Sequence, residues 1–193
     1  MLITDYLCNT LLNPEWDPIE FEPEGDRFEI LRQPVECIRA ICLTSHEPNS
    51  PNSWTFFLST SEGNMTAVRL HCQPTYERET TVLETENGSK ANILFQKKTT
   101  LVPPNGQLTF VLTVNPGFTV GNIHEIIVVN NRHKYEIDND GWYGRAWVYD
   151  QIELFNQHGI FANQDEVALV IDGIQKRWPG EFPDPLQMGT YYG

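Results

Sequence analysis

Residues 54–72 read Trp54-Thr55-Phe56-Phe57-Leu58-Ser59-Thr60-Ser61-Glu62-Gly63-Asn64-Met65-Thr66-Ala67-Val68-Arg69-Leu70-His71-Cys72. The stretch opens on aromatic and β-branched side chains, which suit a pleated, half-buried surface and favour a strand over residues 54–59. Ser61-Glu62-Gly63-Asn64 reads as a hairpin turn, because glycine and asparagine accept backbone angles that other residues resist. The return strand, 67–72, alternates. Val68, Leu70 and Cys72 fall on one face, and Ala67, Arg69 and His71 fall on the other.

Outward from this hairpin, further strands are expected at 35–44, 93–97 and 108–114, the last two separated by the turn Pro103-Pro104-Asn105-Gly106. Residues 45–53 read as a loop, and the polar segment 74–90 as a flexible excursion or a long edge hairpin. The period then changes. Thr119 can cap a helix carrying Val120, Ile123, Ile126 and Ile127, with a strand as the alternative because so many of these residues are β-branched. Residues 144–157 place Trp147, Val148, Ile152 and Phe155 on one helical stripe, closed by Gly159. A last helix starts at Asn163-Gln164-Asp165-Glu166, lines up Val167, Val170, Ile171, Ile174 and Trp178, and stops at Pro179-Gly180. Asp138-Asn139-Asp140-Gly141 is a turn signal; the later ligands of a calcium loop do not follow it. Strands first and helices after them predict an α+β fold, a mainly antiparallel sheet with helices packed on one face.

The chain has 193 residues, suited to one principal domain. We place it at 30–178, preceded by an N-terminal helix and acidic arm (1–29) and followed by a Pro/Gly/Tyr tail (179–193). Lys and Arg number 13 against 26 Asp and Glu, a formal charge of −13, which argues against nucleic acid and anionic membrane surfaces as partners. No run is long enough to span a membrane, and the first residues lack the pattern of a signal peptide. A cytoplasmic location is expected, with Cys8, Cys37, Cys42 and Cys72 as reduced, buried thiols; Cys37 and Cys42 would point to opposite faces of one strand. No nucleotide, P-loop, zincin or α/β-hydrolase motif occurs, and no His/Cys/Asp/Glu set has metal-ligand spacing. No cofactor and no metal are therefore expected.

Two segments carry a family resemblance. One is Asn52-Ser53-Trp54-Thr55-Phe56-Phe57-Leu58 with the following hairpin. The other runs from Thr119 to Tyr135 and on to Gly141-Trp142-Tyr143-Gly144-Arg145-Ala146-Trp147-Val148-Tyr149. Over residues 30–160 the chain resembles a family of small fungal proteins of unknown function, whose patterns are His-Trp at the strand start and Gly-Cys-Arg-aromatic-Trp at the helix start. That family in turn resembles circularly permuted papain-like thiol enzymes such as the lecithin–retinol acyltransferase group. There a strand histidine activates a cysteine at a helix N-terminus. Arg145 and Trp147 match the pattern. Gly144 stands at the cysteine position, Ser53 at the histidine position, and Ala146 replaces the aromatic residue.

A frame without its nucleophile implies replacement chemistry. The resemblance implies a cleft between Trp54, Arg69 or His71, and the 143–149 segment, with Arg145, His71 and Tyr149 as catalytic residues and Trp54, Phe56, Tyr143 and Trp147 as substrate-binding walls. Such a site suits a cofactor-independent cyclase or isomerase, for example a Diels–Alderase, acting on an apolar small molecule of secondary metabolism. The alternatives are a non-catalytic binding or scaffold protein using the acidic arm, and a thiol hydrolase or acyltransferase using Cys37, Cys42 or Cys72. A homo-oligomer is left open.

Overall fold

The computed structural model describes residues 16–45, 50–61, 63–83, 88–138 and 144–193. Residues 1–15 of the expected N-terminal helix and arm, with Cys8, and also Tyr143 and residues 139–141 of the acidic turn lie outside the described residues. Ten strands follow one another: β1 Ile19–Glu22, β2 Cys37–Leu43, β3 Trp54–Ser61, β4 Thr66–Pro74, β5 Ser89–Lys98, β6 Gly106–Thr113, β7 Tyr135–Ile137, β8 Lys176–Arg177, β9 Phe182–Pro183 and β10 Thr190–Tyr191. The helices are α1 Arg27–Arg32, α2 Val120–Val129, α3 Arg145–Gln157 and α4 Gln164–Ile174.

The main sheet runs β10-β7-β5-β4-β3-β2-β6, and β1 pairs with the free half of β5. Every pairing is antiparallel except β1 with β5. β2 to β5 form a meander, and β6 returns across the sheet to lie beside β2. The fold is α+β with a mostly antiparallel sheet.

Strand alternation sorts the side chains into two layers. Ile38, Ala40, Cys42, Trp54, Phe56, Leu58, Val68, Leu70, Cys72, Ile93 and Phe95 join one core cluster, together with Val120, Ile123 and Ile127 of α2, Trp147 and Phe155 of α3 and Val170 of α4. A smaller cluster on the opposite face holds Ile41, Leu43, Phe57 and Ala67, with Leu101 packed against it and no helical residue. The described helices therefore cover one face of the sheet. We call the other the open face.

Local chemistry explains the helix boundaries. The ambiguity over residues 120–127 is resolved by a reciprocal capping box: the Asn122 backbone N–H donates to Thr119 Oγ1 (3.3 Å), and the Thr119 N–H donates to Asn122 Oδ1 (2.9 Å). α4 stops at Ile174, short of Trp178. The Trp178 indole turns back and donates to the Gly173 carbonyl at 2.9 Å, satisfying one of the carbonyls a helix end leaves open. Asn163 caps this helix by accepting from the Asp165 N–H, while the Glu166 carboxylate reaches across to Thr113 of β6.

The acidic segment is tied into the sheet. Ile19–Glu22 forms β1, Glu20 accepts from Asn92, Glu22 accepts from Gln96, and Asp26 and Glu29 both pair with Lys97 at 2.8 Å. The tail is ordered as well: β10 extends the sheet beyond β7. No helix among the described residues is long and apolar enough to cross a membrane.

Candidate functional site

The register of the open face places its polar groups in rows. Arg39 of β2 stands opposite Phe57 of β3, and Phe57 stands opposite Arg69 of β4, which faces Gln96 of β5. In the next row Ile41 pairs with Thr55, and His71 pairs with Leu94. Phe57 and Thr55 are buried on this face although no described helix covers it.

Thr55 fixes Arg69. Its hydroxyl donates to the Leu70 carbonyl (3.1 Å) and accepts from Arg69 Nε (3.3 Å). The guanidinium is half-buried and makes no ion pair among the described residues. Burial holds its pKa below the usual arginine value. His71, two residues on along the same strand, is 9% exposed, and its Nδ1 has no hydrogen-bond partner among the described residues. Burial, with the Arg69 charge adding to it, pushes the imidazole down to about 3, so it is neutral at pH 7. Buried polar atoms in native proteins are nearly always partnered, so an orphaned ring nitrogen beside an unpaired cation asks for a ligand or a water.

A cavity of about 620 Å³ opens over these groups, lined by Leu43, Ser53, Arg69, His71, Gln73, Pro74, Tyr76 and Asn105. That volume lies in the range of small-molecule sites. Tyr76 at its rim takes a left-handed backbone conformation (φ 58°), and its N–H donates to Ser89 Oγ at 2.9 Å. A second hollow, about 560 Å³, lies beside β1 and α1 between Asp17, Glu20, Glu24 and Phe28; Arg27 over the Phe21 ring closes one side. It has no buried polar atom left without a partner among its lining residues.

The residues expected to form one cleft are divided between the two faces of the sheet. Trp54, Phe56 and Trp147 come together on the helix side, fully buried, with the Phe56 and Trp147 rings edge to face at 6.5 Å. The space beside Arg145 and Trp147 is only about 10 Å³, room for one water at most. Arg145 is buried and engaged: Nη1 pairs with Asp184 Oδ2 at 2.7 Å, and Nη2 donates to the Asp184 and Pro185 carbonyls at 2.9 and 2.6 Å. Tyr149 sits half-buried on the outer side of α3 with its hydroxyl 3.3 Å from Glu153. Tyr143 lies outside the described residues. His71 points to the open face, away from all of them. Of the expected set, it is the described residue that lines a roomy cavity.

Strand alternation already places Arg69 and His71 on a shared face. Ser53 is marked only as the residue at the histidine position of the resembled pattern, and Thr55, Gln73 and Tyr76 carry no local signal, since their convergence depends on register and on loop paths. Among the described residues no group of three or more His, Cys, Asp or Glu is arranged to hold a metal ion.

The chain belongs to a family described as a domain of unknown function, DUF7770, which matches residues 38–192. The match spans every open-face group described above. No curated protein and no solved structure matches the chain.

Proposed function

We propose that the protein is a cofactor-independent isomerase or cyclase whose substrate, a small organic anion, sits on the open face of the sheet. The observation that carries this reading is the pair formed by Arg69, half-buried without an acidic partner among the described residues, and the neutral His71, whose Nδ1 has no partner among them. Arg69 anchors negative charge. A neutral imidazole offers one N–H donor and one lone pair, so His71 can polarise a carbonyl oxygen on which charge develops, or relay a proton between two carbons of one substrate. Both roles suit rearrangements in which every substrate atom is retained, including ring closure of a folded polyene. Removal of one such donor costs roughly 10²–10³-fold in kcat.

This reading moves the chemistry away from Arg145, Trp54 and Trp147, which serve as structural anchors. It keeps the suggestion that the frame descends from a permuted papain-like thiol enzyme, with Gly144 standing at the N-cap of α3 where that pattern has its nucleophile. A thiol hydrolase fits less well. Burial pushes the Cys42 thiol up to about 12 and raises Cys72 well above its ordinary value. A scaffold role for the acidic segment also fits less well, because Glu20, Glu22, Asp26 and Glu29 already have partners within the chain.

The test is incubation of the purified protein with a small-molecule extract of its own cells, followed by chromatography and mass spectrometry. Conversions that keep mass and change retention are expected, and they should be lost in Arg69→Gln and His71→Asn. Conversion that survives both substitutions, or that changes mass, overturns the reading.

A further inference from the structure

We infer that the substrate class is an elongated monocarboxylate with a flat unsaturated or aromatic tail, lying along β4 with its carboxylate on Arg69 and its tail toward Leu43 and Tyr76. This rests on the open-face cavity being the ligand site, and adds to it the charge, length and orientation of the ligand.

Length follows from strand geometry. Arg69, His71 and Gln73 alternate with core residues along β4, so all three face the cavity. At about 3.3 Å per residue, Arg69 and Gln73 are about 13 Å apart along the strand. Pro74 and Tyr76 carry the lining further in the same direction. The trough thus runs along β4 with a cation at one end and a neutral imidazole between Arg69 and Gln73, and it widens sideways to Ser53, Leu43 and Asn105.

Charge follows from the lining. Among the described residues it includes one formal cation and no carboxylate. Arg69 Nε is already given to Thr55, which leaves the two terminal nitrogens of the guanidinium as a planar two-pronged donor. That fork matches the two oxygens of a carboxylate. A phosphate dianion asks for more donors than one fork supplies. Its described lining includes no helix residue, and Lys98, one row beyond Arg69 and near Glu22, does not line it.

The far end has different chemistry. Leu43, Pro74 and the Tyr76 ring offer flat apolar contact, while Ser53, Gln73 and Asn105 offer hydroxyl and amide groups. A planar tail with a polar edge satisfies both. Its conjugated carbonyl or alkene carbons would then pass His71, two residues from the anchoring arginine.

The test uses full-length protein labelled with 15N-histidine and four probes: trans-cinnamate, cinnamamide, phenyl phosphate and acetate. The His71 ring resonances are followed by NMR. Cinnamate should shift them saturably, and cinnamamide, phenyl phosphate and acetate should each bind at least about tenfold more weakly. Arg69→Gln should weaken cinnamate about tenfold or more, and Tyr76→Ala should weaken cinnamate while leaving acetate unchanged. The neutral amide tests the charge requirement in unaltered protein, so the result stands even if Arg69→Gln fails to fold. No His71 response to cinnamate at about 10 mM overturns the inference. A response in which phosphate, amide or acetate equals cinnamate also overturns it, while leaving the open face as a ligand site. Saturable cinnamate binding with no His71 response overturns the site reading itself.

Discussion

Gly144 is pressed against the backbone of Cys72: a Cβ built on Gly144 would lie 2.8 Å from the Cys72 carbonyl oxygen. Its φ of 75° is left-handed, and it is the N-cap of α3. The N-cap residue of α3 must therefore lack a side chain, both to adopt the left-handed backbone and to let the helix start dock on β4. Gly144→Ala combines a strained backbone with a contact that only a shift of β4 or α3 relieves. We expect it to cost about 2 kcal/mol or more, read as a lowered midpoint of urea unfolding. Gly144→Cys should be destabilised similarly, because it adds a Cβ at the same position.

Arg145 is held by the chain's own tail. Its side chain is 5% exposed and that of Asp184 12%, and the same aspartate also meets Arg177 at 3.3 Å. Removing one partner of a buried pair leaves the other charge uncompensated, at about 3–5 kcal/mol. Asp184→Ala should lose stability on that scale and expose residues 184–193 to limited proteolysis. Asp184→Asn keeps an acceptor oxygen and should lose less. A catalytic role for Arg145 would instead leave the unfolding midpoint of Arg145→Ala close to that of the parent protein.

The strand alternation of 67–72 and the helical stripes of 120–127 and 144–157 were readable locally, because each needs only the period of its own element. That Arg69 and His71 share a face was readable for the same reason. Their separation from Trp54 and Phe56 was not. It depends on the register that sets Thr55, rather than Trp54, in the row beside His71, and register is decided by the whole meander. The role of Arg145 was hidden for a different reason: Asp184 lies 39 residues away in a tail of Pro, Gly and Tyr that has no periodic signal. β1 was hidden by its acids. Residues 19–22 have too few apolar side chains to announce a strand, yet Phe21 packs on Phe95 and the glutamates find amide donors on β5.

Glu136 latches the excursion between β4 and β5. Its buried carboxylate accepts four hydrogen bonds: from the Thr81 N–H and hydroxyl (2.6 and 2.7 Å) and from the Val82 and Leu83 N–H groups (2.9 and 2.8 Å). Burial pushes the carboxyl up, but the bonds from Leu83, Thr81 and Val82 outweigh it and hold the pKa below the ordinary value. The folded state thus binds this proton less tightly than the unfolded chain. The latch contributes fully above the unfolded carboxylate range near pH 4.3 and is lost as pH falls through the depressed folded value. Glu136→Gln presents an NH2 group to two donors, and should raise amide exchange at residues 81–83 about tenfold or more at pH 7.

The two buried thiols, Cys42 and Cys72, should be inert. Cys42 is fully buried with its pKa pushed up to about 12 by desolvation, against a smaller lowering by Arg145, and Cys72 is likewise buried and raised. Thiolate is the reacting form, so iodoacetamide at pH 7 should leave both unmodified in the native protein and label them after denaturation. Rapid native labelling of Cys72, followed by mass spectrometry of its peptide, would revive the thiol-enzyme reading.

His71 gives the molecule a measurable pH signature. Its folded pKa of about 3 lies below the ordinary histidine value of 6.5, so the unfolded chain takes up a proton that the folded one refuses. The contribution is fully present above pH 6.5 and declines as pH falls toward 3, with a slope approaching about 1.4 kcal/mol per pH unit below pH 6. His71→Gln should flatten the unfolding curve between pH 6 and pH 5 by that amount, measured from urea midpoints, while Glu136 is still ionised. Ligand sharpens the test. A carboxylate on Arg69 offsets the charge that adds to burial in depressing His71, so saturating cinnamate should raise the imidazole pKa, read from the His71 ring resonances over a pH titration. An unchanged His71 pKa with cinnamate bound would mean that the anion sits away from Arg69.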